Sequence, residues 1–462
     1  MSLSLRVAVI GAGPAGIYAA DILTKSDPEI TVDIFDRLPT PYGLIRYGVA
    51  PDHPRIKQII VALHQVMENP RIAFFGNVAV GTDVKIDELR QFYDALIVAT
   101  GAERDKVLDV PGVELPGSYG AADFVAFYDA HPDRDRVWDL SGVQSVAVLG
   151  VGNVALDVAR ILARTADELL YTELPDHVYA ALKASTVTDI HMFARRGPAQ
   201  AKFTPVELRD IDRSPNVQAV VSPEGMEFDE GSEKALAGSK SLRMVVDVLS
   251  EWALREPTDD PKRRRIHIHF LENPVEILGS ESGVTALRTE RQELVGDGSV
   301  HGTGVFTDWD VQAVYRAVGY RSEPMDDLPW DTSANVLPNT AGRVYGPDGE
   351  TLPGIYATGW VKRGPVGLIG HTKSDAAETV ANLLADAPGL TRAPQRDRSA
   401  VWVLLASKGL PVTDFAGWDR LDAHERTLGD AATAAGAVLP RERIKVISRE
   451  EMTEIARIRE AD

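Results

Sequence analysis

The sequence predicts an α/β protein with two parallel-sheet domains, the second inserted in the first. Three observations predict it. Strand-like apolar runs alternate with helical patterns through most of the 462 residues, the pattern of parallel sheets covered by helices. A strand, glycine turn and helix occur in series twice, in "RVAVIGAGPAGIYAADILTK" and in "SVAVLGVGNVALDVARILART". The length also exceeds what one hydrophobic core supports.

The first module carries Gly11, Gly13 and Gly16, followed by a second strand, "TVDIFDR", that ends in Asp36. Gly11 permits the tight turn, Gly13 lets a pyrophosphate approach the backbone, and Gly16 allows close helix-strand packing. The helix N-terminus, with Ala15 in its first turn, favours the phosphate charge, and Asp36 can accept from ribose hydroxyls. This is the Rossmann-type dinucleotide fingerprint.

In the second module, Gly150-Val151-Gly152-Asn153-Val154-Ala155, alanine stands at the third position, an accepted variant. Its following strand, "DIHMFARR", ends in Arg195 and Arg196 instead of an acid. An acid would repel a 2′-phosphate, whereas two guanidiniums can bind one. FAD is therefore expected in the first module and NADP in the second. The reaction expected is hydride transfer from nicotinamide to flavin, with donor and acceptor atoms held ~3–3.5 Å apart.

The buried strand at Asp94 to Thr100 is followed by a Gly/Pro-punctuated crossing, and a second crossing follows "AVYRAVGYRSEP". The expected domains are 1–107 and 323–462 for FAD, the latter with a C-terminal extension, and 108–322 for NADP. "GIYATGW" reads as a late strand returning to the first domain. The tail mixes short helices with a strand, "RIKVIS", and carries no legible motif.

Composition narrows the function. The chain has no cysteine, which excludes disulfides, thiolate metal sites, protein-ligated iron-sulfur clusters and a dithiol relay; no metal site is expected. A formal charge of -19 argues against nucleic acid or an anionic membrane as partner of the whole surface. The start runs directly into an apolar strand without a leader pattern, and no window has the run of about 18 apolar residues that a membrane span needs. A cytoplasmic location without membrane insertion is expected.

Four stretches, "PYGLIRYGVAPDHP", "GVGNVALDVAR", "ARRGPAQAKFTPVELR" and "GWVKRGPVGLIGHTKSDAAETV", occur in the order found in adrenodoxin reductase and its bacterial ferredoxin-NADP reductase relatives. The chain resembles that family over nearly its whole length. The resemblance implies flavin contacts at Ala15, Asp36, Leu44, Val80, Trp360, Gly367, Leu368 and Ile369. It implies NADP contacts at Gly152, Asn153, Val154, Ala155, Arg195, Arg196 and Glu207, with Gly367 beside the nicotinamide. It places His53 and Asp157 near the meeting point of flavin and nicotinamide, where they tune rate or orientation.

The first stretch is then a loop over the flavin, too apolar for a solvated turn and too rich in proline and glycine for a helix interior or central strand. Trp360 stands where related two-dinucleotide flavoenzymes carry an acid. The resemblance also supplies the electron acceptor, a small acidic iron-sulfur protein of the ferredoxin type. Lys240, Arg243 and the run Lys262-Arg263-Arg264-Arg265 are candidates for a local basic docking patch. The residues alone leave open an NADPH diaphorase or quinone reductase, and a non-catalytic redox sensor in which both nucleotides are structural.

Overall fold

The computed structural model describes residues 4–134, 137–256, 264–366, 369–436 and 439–457. The chain divides into two compact units. The first comprises Met1–Arg104, Asp129–Arg134 and Tyr320–Asp462, the second Asp105–Tyr128 and Asp135–Gly319.

The first unit opens with β1 (Arg6–Ile10), α1 (Pro14–Ser26) and β2 (Thr31–Phe35). The β1 side chains are all buried, as expected of a strand covered on both faces. Gly11 has φ +114°, and a Cβ there would collide with the Ala99 carbonyl; one at Gly16 would collide with the Gly11 carbonyl. Both positions therefore exclude larger residues for packing reasons alone.

The stretch Pro41–Pro54 departs from the expected irregular loop by forming one helical turn, α2 (Leu44–Tyr47), and its last residue opens another, Pro54–Lys57. Tyr42 at φ +82° and Gly43 at φ +48° turn the chain sharply. The four residues Leu-Ile-Arg-Tyr then lack any breaker until Gly48, so one helical turn closes. Two further strands, β3 (Ile72–Phe75) and β4 (Ala95–Val98), pair with β2 and β1.

The second unit carries a six-stranded sheet. Its strands are β5 (Ser118–Gly120), β6 (Ser145–Leu149), β7 (Asp189–Ala194), β8 (Val217–Val221), β9 (Arg264–Phe270) and β13 (Ala313–Arg316), in the order β5-β13-β6-β7-β9-β8. A three-stranded antiparallel sheet, β10 (Glu272–Ser280), β11 (Gly283–Leu294) and β12 (Val300–Asp310), accompanies it. The helices that matter here are α3 (Asn153–Ala163), α4 (Pro205–Asp210) and α5 (Lys240–Ala253).

Parallel register sets His191 beside His267 and Phe193 beside His269 on β7 and β9. His191 and His267 stack at 4.5 Å, His191 Nδ1 lies 3.0 Å from His269 Nε2, and the Trp309 ring of β12 lies 4.4 Å from that of His269. Burial, reinforced by His267, pushes His191 down to about 4, and burial with both neighbouring rings pushes His269 to about 3.

Asp189, His191 and His267 bring potential metal-ligand atoms within 4.8 Å of one another. The two rings, however, are within 8° of parallel and cannot aim their in-plane lone pairs at one ion without rotating. Arg265 also pairs with Asp189 at 2.7 Å. The cluster is a stacked, hydrogen-bonded ladder, poorly arranged for chelation.

The chain then completes the first unit with β14 (Asn339–Thr340), β15 (Arg343–Tyr345) and β16 (Thr351–Ala357), giving the sheet order β14-β15-β16-β4-β1-β2-β3. Helix α6 (Ile369–Asp386) packs on α1. The tail adds α7 (Phe415–Ala434) and α8 (Arg449–Ala456).

"RIKVIS" is not a strand: Arg443–Ser448 pairs with no sheet. Its backbone is satisfied by one residue of α7, because Ile444 N donates to the Glu425 carbonyl and Val446 N to Glu425 Oε1, both at 3.0 Å. A carboxylate takes the place of a neighbouring strand. Among the described residues no helix is long and apolar enough to cross a membrane.

Candidate functional site

In the first unit, Gly13 is the N-cap of α1, and no side chain caps that helix start. A Cβ placed at Gly13 would meet nothing within 4 Å, in contrast to Gly11 and Gly16. The middle glycine thus faces open space at a helix N-terminus whose amides lack a side-chain acceptor, as a dinucleotide pyrophosphate requires.

Asp36 sits at the end of β2, half-buried. Its carboxylate accepts from Ala12 N at 2.7 Å and Leu38 N at 2.9 Å. Burial raises this carboxyl to about 6, against the lowering effect of the two amides and of Arg37. Arg37 itself pairs with Glu103 and Asp133, so its charge is shared among three acids.

The loop after β2 is docked on the glycine turn. Tyr42 N donates to the Ala12 carbonyl at 2.8 Å, and a Cβ on Gly43 would come within 3.2 Å of Gly13 Cα. Leu44, half-buried, begins α2 at that point. The buried Tyr42 holds a backbone conformation rare for a bulky residue, the kind of strain that clusters at ligand sites. Val80 follows the segment whose Val78 N donates to the Asp36 carbonyl at 2.8 Å.

Trp360 starts a single turn after Gly359, whose φ is +74°; a Cβ there would lie 2.7 Å from Ala15 Cβ. An acid distant in the chain holds the backbone of this turn. Asp375 on α6 accepts from Gly359 N, and Lys362 pairs with Asp375 at 3.0 Å. Sequence reading missed Asp375, which lies 16 residues beyond the glycine it serves. Gly367 and Leu368 lie outside the described residues, and Ile369 opens α6.

The second unit repeats the arrangement. Gly152 is the N-cap of α3 without a side-chain cap, and a Cβ at Gly152 would meet nothing within 4 Å. Asn153 Oδ1 accepts from Thr204 N at 2.9 Å, which ties the start of α4 to the glycine turn and places Glu207 one turn along. Val154 and Ala155 continue the first turn of α3, Ala155 fully buried.

Arg195 and Arg196 are exposed at the end of β7, and neither guanidinium is committed to an ion pair among the described residues. Two cations free at the diagnostic strand end suit a phosphate.

Asp157 is held from within its own helix. Arg160, with no exposed surface, bonds Asp157 at 2.8 Å and lies 3.9 Å from Glu207 and 3.8 Å from Asp210. Sequence reading passed over Arg160; its signal was a charged residue on the apolar side of a helix, three positions from an acid. His53 belongs to the first unit, at the N-cap of Pro54–Lys57.

Lys240 and Arg243 are exposed and one turn apart on α5. Arg243 also donates to the carbonyls of Leu236 and Ala237, closing the end of the preceding helix. Lys262 and Arg263 lie outside the described residues. Arg264 is turned inward, donating to the carbonyls of Leu162 and Arg164, and Arg265 is paired with Asp189.

Two Rossmann-type units, one ending its second strand in an acid and the other in an arginine pair, define an oxidoreductase of the flavoprotein class that uses FAD and NADP. Residues 5–194 match the family described as pyridine nucleotide-disulphide oxidoreductase. The chain is 40% identical over 440 residues to the NADPH-ferredoxin reductase FprA of Mycobacterium leprae, covering 92% of this chain and 94% of that protein. It is 38% identical over 444 residues to the mitochondrial NADPH:adrenodoxin oxidoreductase of Arabidopsis thaliana, covering 93% and 92%. The solved structure of Mycobacterium tuberculosis FprA in complex with NADPH superposes with a TM-score of 0.89 at 38% identity, covering 98% of this chain and 99% of that one. The protein belongs to the adrenodoxin reductase and FprA family.

Proposed function

We propose that the protein is an NADPH-dependent ferredoxin reductase, taking a hydride from NADPH and passing electrons singly to a small iron-sulfur protein. The unlike ends of the two second strands carry the assignment: the Asp36 carboxylate suits an unphosphorylated ribose, and the unengaged Arg195 and Arg196 suit a 2′-phosphate. Bound FAD supplies the conversion between a two-electron donor and a one-electron acceptor.

The chain's residues bind and orient. The Gly13 and Gly152 turns receive the pyrophosphates, with Gly11, Gly16, Ala15, Asn153, Val154 and Ala155 shaping them. Leu44, Val80 and Trp360 contact the flavin, and Glu207 contacts NADP. His53 in the first unit and Asp157 in the second tune the orientation or rate of the transfer. Hydride transfer itself requires no proton donor, so an unchanged rate of flavin reduction in His53→Gln would assign that histidine to structure.

The partner docks through a local basic patch at Lys240 and Arg243, against a net charge of -19, so its reduction slows as salt rises. The protein acts in the cytoplasm on this reading. Purified protein is expected to be yellow, to bleach with NADPH without oxygen, and to respond far more weakly to NADH. Replacing Arg195 and Arg196 by serine removes the NADPH preference by about 10-fold or more per guanidinium. Cytochrome c reduction stimulated by an added ferredoxin supports the assignment. Equal rates without it favour a small acceptor such as a quinone, and yellow colour persisting under excess NADPH favours a non-catalytic protein.

A further inference from the structure

We infer that the C-terminal tail positions the flavin-lining loop, through a buried ion pair between Arg46 of α2 and Glu425 of α7. The inference presupposes the FAD assignment above. Leu44 begins α2, and two residues later Arg46 points into the interior of the unit, 2% exposed. Its guanidinium meets the fully buried Glu425 in a bidentate pair at 2.5 and 3.0 Å, lying 5.2 Å from the centre of the Tyr47 ring and 5.0 Å from that of Trp418. Planar, two-point pairing of this kind fixes direction as well as distance.

The same tail holds the loop by its backbone. Lys445 Nζ donates to the Arg46 carbonyl at 2.7 Å and to the Asp129 carbonyl at 3.1 Å. Lys445 reaches that position because Val446 N is bound to Glu425 Oε1, the oxygen that also accepts from Arg46. Glu425 thus ties the extended tail segment and the loop side chain to one carboxylate. On its other side the loop is bonded to the glycine turn through Tyr42 N and Ala12 O at 2.8 Å. Pro41–Val49 is therefore held between the pyrophosphate turn and the tail, and its placement depends on both.

Arg46 and Glu425 are positioning residues with no assigned contact to nucleotide. The experiment uses the full-length yellow protein, well below its melting temperature, and reads two quantities: the FAD release rate, from recovery of free-flavin fluorescence, and amide exchange in Pro41–Val49. Glu425→Gln removes the counter-charge and is expected to speed release by about 10-fold or more, the equivalent of a lost charge-assisted hydrogen bond. Exchange in Pro41–Val49 rises with it, and second-unit peptides stay as in wild type.

Arg46→Lys keeps charge and folding but only single-point pairing, and should give a smaller rise in both quantities. The double variant Arg46→Met/Glu425→Leu replaces the pair by apolar packing, but Val446 N loses its acceptor, so part of the melting temperature returns while release stays fast. Wild-type release and exchange in Glu425→Gln and Arg46→Lys would overturn the inference, as would a double variant that recovers both melting temperature and slow release, since the pair would then be structural only. A wild-type protein that binds no FAD would instead sink the functional assignment, and the inference with it.

Discussion

Arg160 and Asp157, three residues apart on α3, form an ion pair at 2.8 Å around a guanidinium with no exposed surface. The same arginine lies within 4 Å of Glu207 and Asp210 on α4. Removing it takes a buried cation away from Asp157 and Glu207, while Asp210 keeps Arg164 at 2.8 Å. Arg160→Met is expected to destabilise the second unit by about 3–5 kcal/mol, measured by denaturant unfolding of the full chain. A loss under about 1 kcal/mol would mean that the acids are hydrated or protonated without cost.

The glycine turns separate binding from folding. Gly13 has φ -74° and Gly152 φ -110°, conformations open to any residue, and neither Cβ would meet protein within 4 Å. Gly13→Ala should therefore fold normally and lose FAD, and Gly152→Ala should keep FAD and lose NADPH affinity. Gly16→Ala should fail at folding, because its Cβ collides with the Gly11 carbonyl. Yellow colour together with absorbance titration by NADP distinguishes the three.

The proposed contact of Asp36 with FAD predicts an affinity that depends on pH. The ionised carboxylate is the better acceptor for the proposed ribose contact, and burial has raised this carboxyl to about 6. Protonation below that value competes with FAD. Apoprotein affinity should be flat above pH 7 and weaken up to about tenfold per pH unit below 6, until the lower pKa of the loaded form is reached. Asp36→Asn should bind more weakly and show no such slope; an equal slope in this variant would assign the titration elsewhere.

The histidine ladder makes the second unit acid-sensitive. His191 and His269 are held near 4 and 3 in the fold, below the ordinary histidine value of 6.5. Between those values and 6.5 the unfolded chain binds more protons than the folded one. Stability is therefore full above pH 6.5 and falls as pH drops toward 4, by about 1.4 kcal/mol per pH unit for each proton taken up. Of the charged groups around the ladder, Asp189 favours protonation while Arg265 and His267 oppose it at His191. His269→Phe, which keeps a ring against Trp309, should flatten the slope of unfolding free energy against pH by about one proton.

Legibility in the sequence followed the locality of the signal. The glycine turns, Asp36, and the arginine pair at the end of β7 are set by a few neighbouring residues, so their spacing sufficed to place them. Asp375 and Glu425 act on backbone far away in the chain, and nothing adjacent marks them. "RIKVIS" shows the opposite error: strand-like composition without a strand, because its amides found a carboxylate instead of a partner strand. The loop at Pro41–Pro54 was legible as a feature but not in its helical turns, which depend on positive φ at Tyr42 as well as Gly43. Arg160 was hidden because a single charge on an apolar helix side reads as an end of the stripe, and burial reveals it as a hub.

The sheet of the first unit places β16 beside β4, some 250 residues later in the chain, and its loop is gripped by residues 425 to 446. During synthesis the second unit, which ends at Gly319, can close while the first still lacks a central strand. The loop at Pro41–Val49 gains its outer wall only once residues 425 to 446 have emerged. On the proposed FAD assignment, a product cut off before residue 425 would hold a finished second unit while binding FAD weakly, and would lose its colour before it was unfolded.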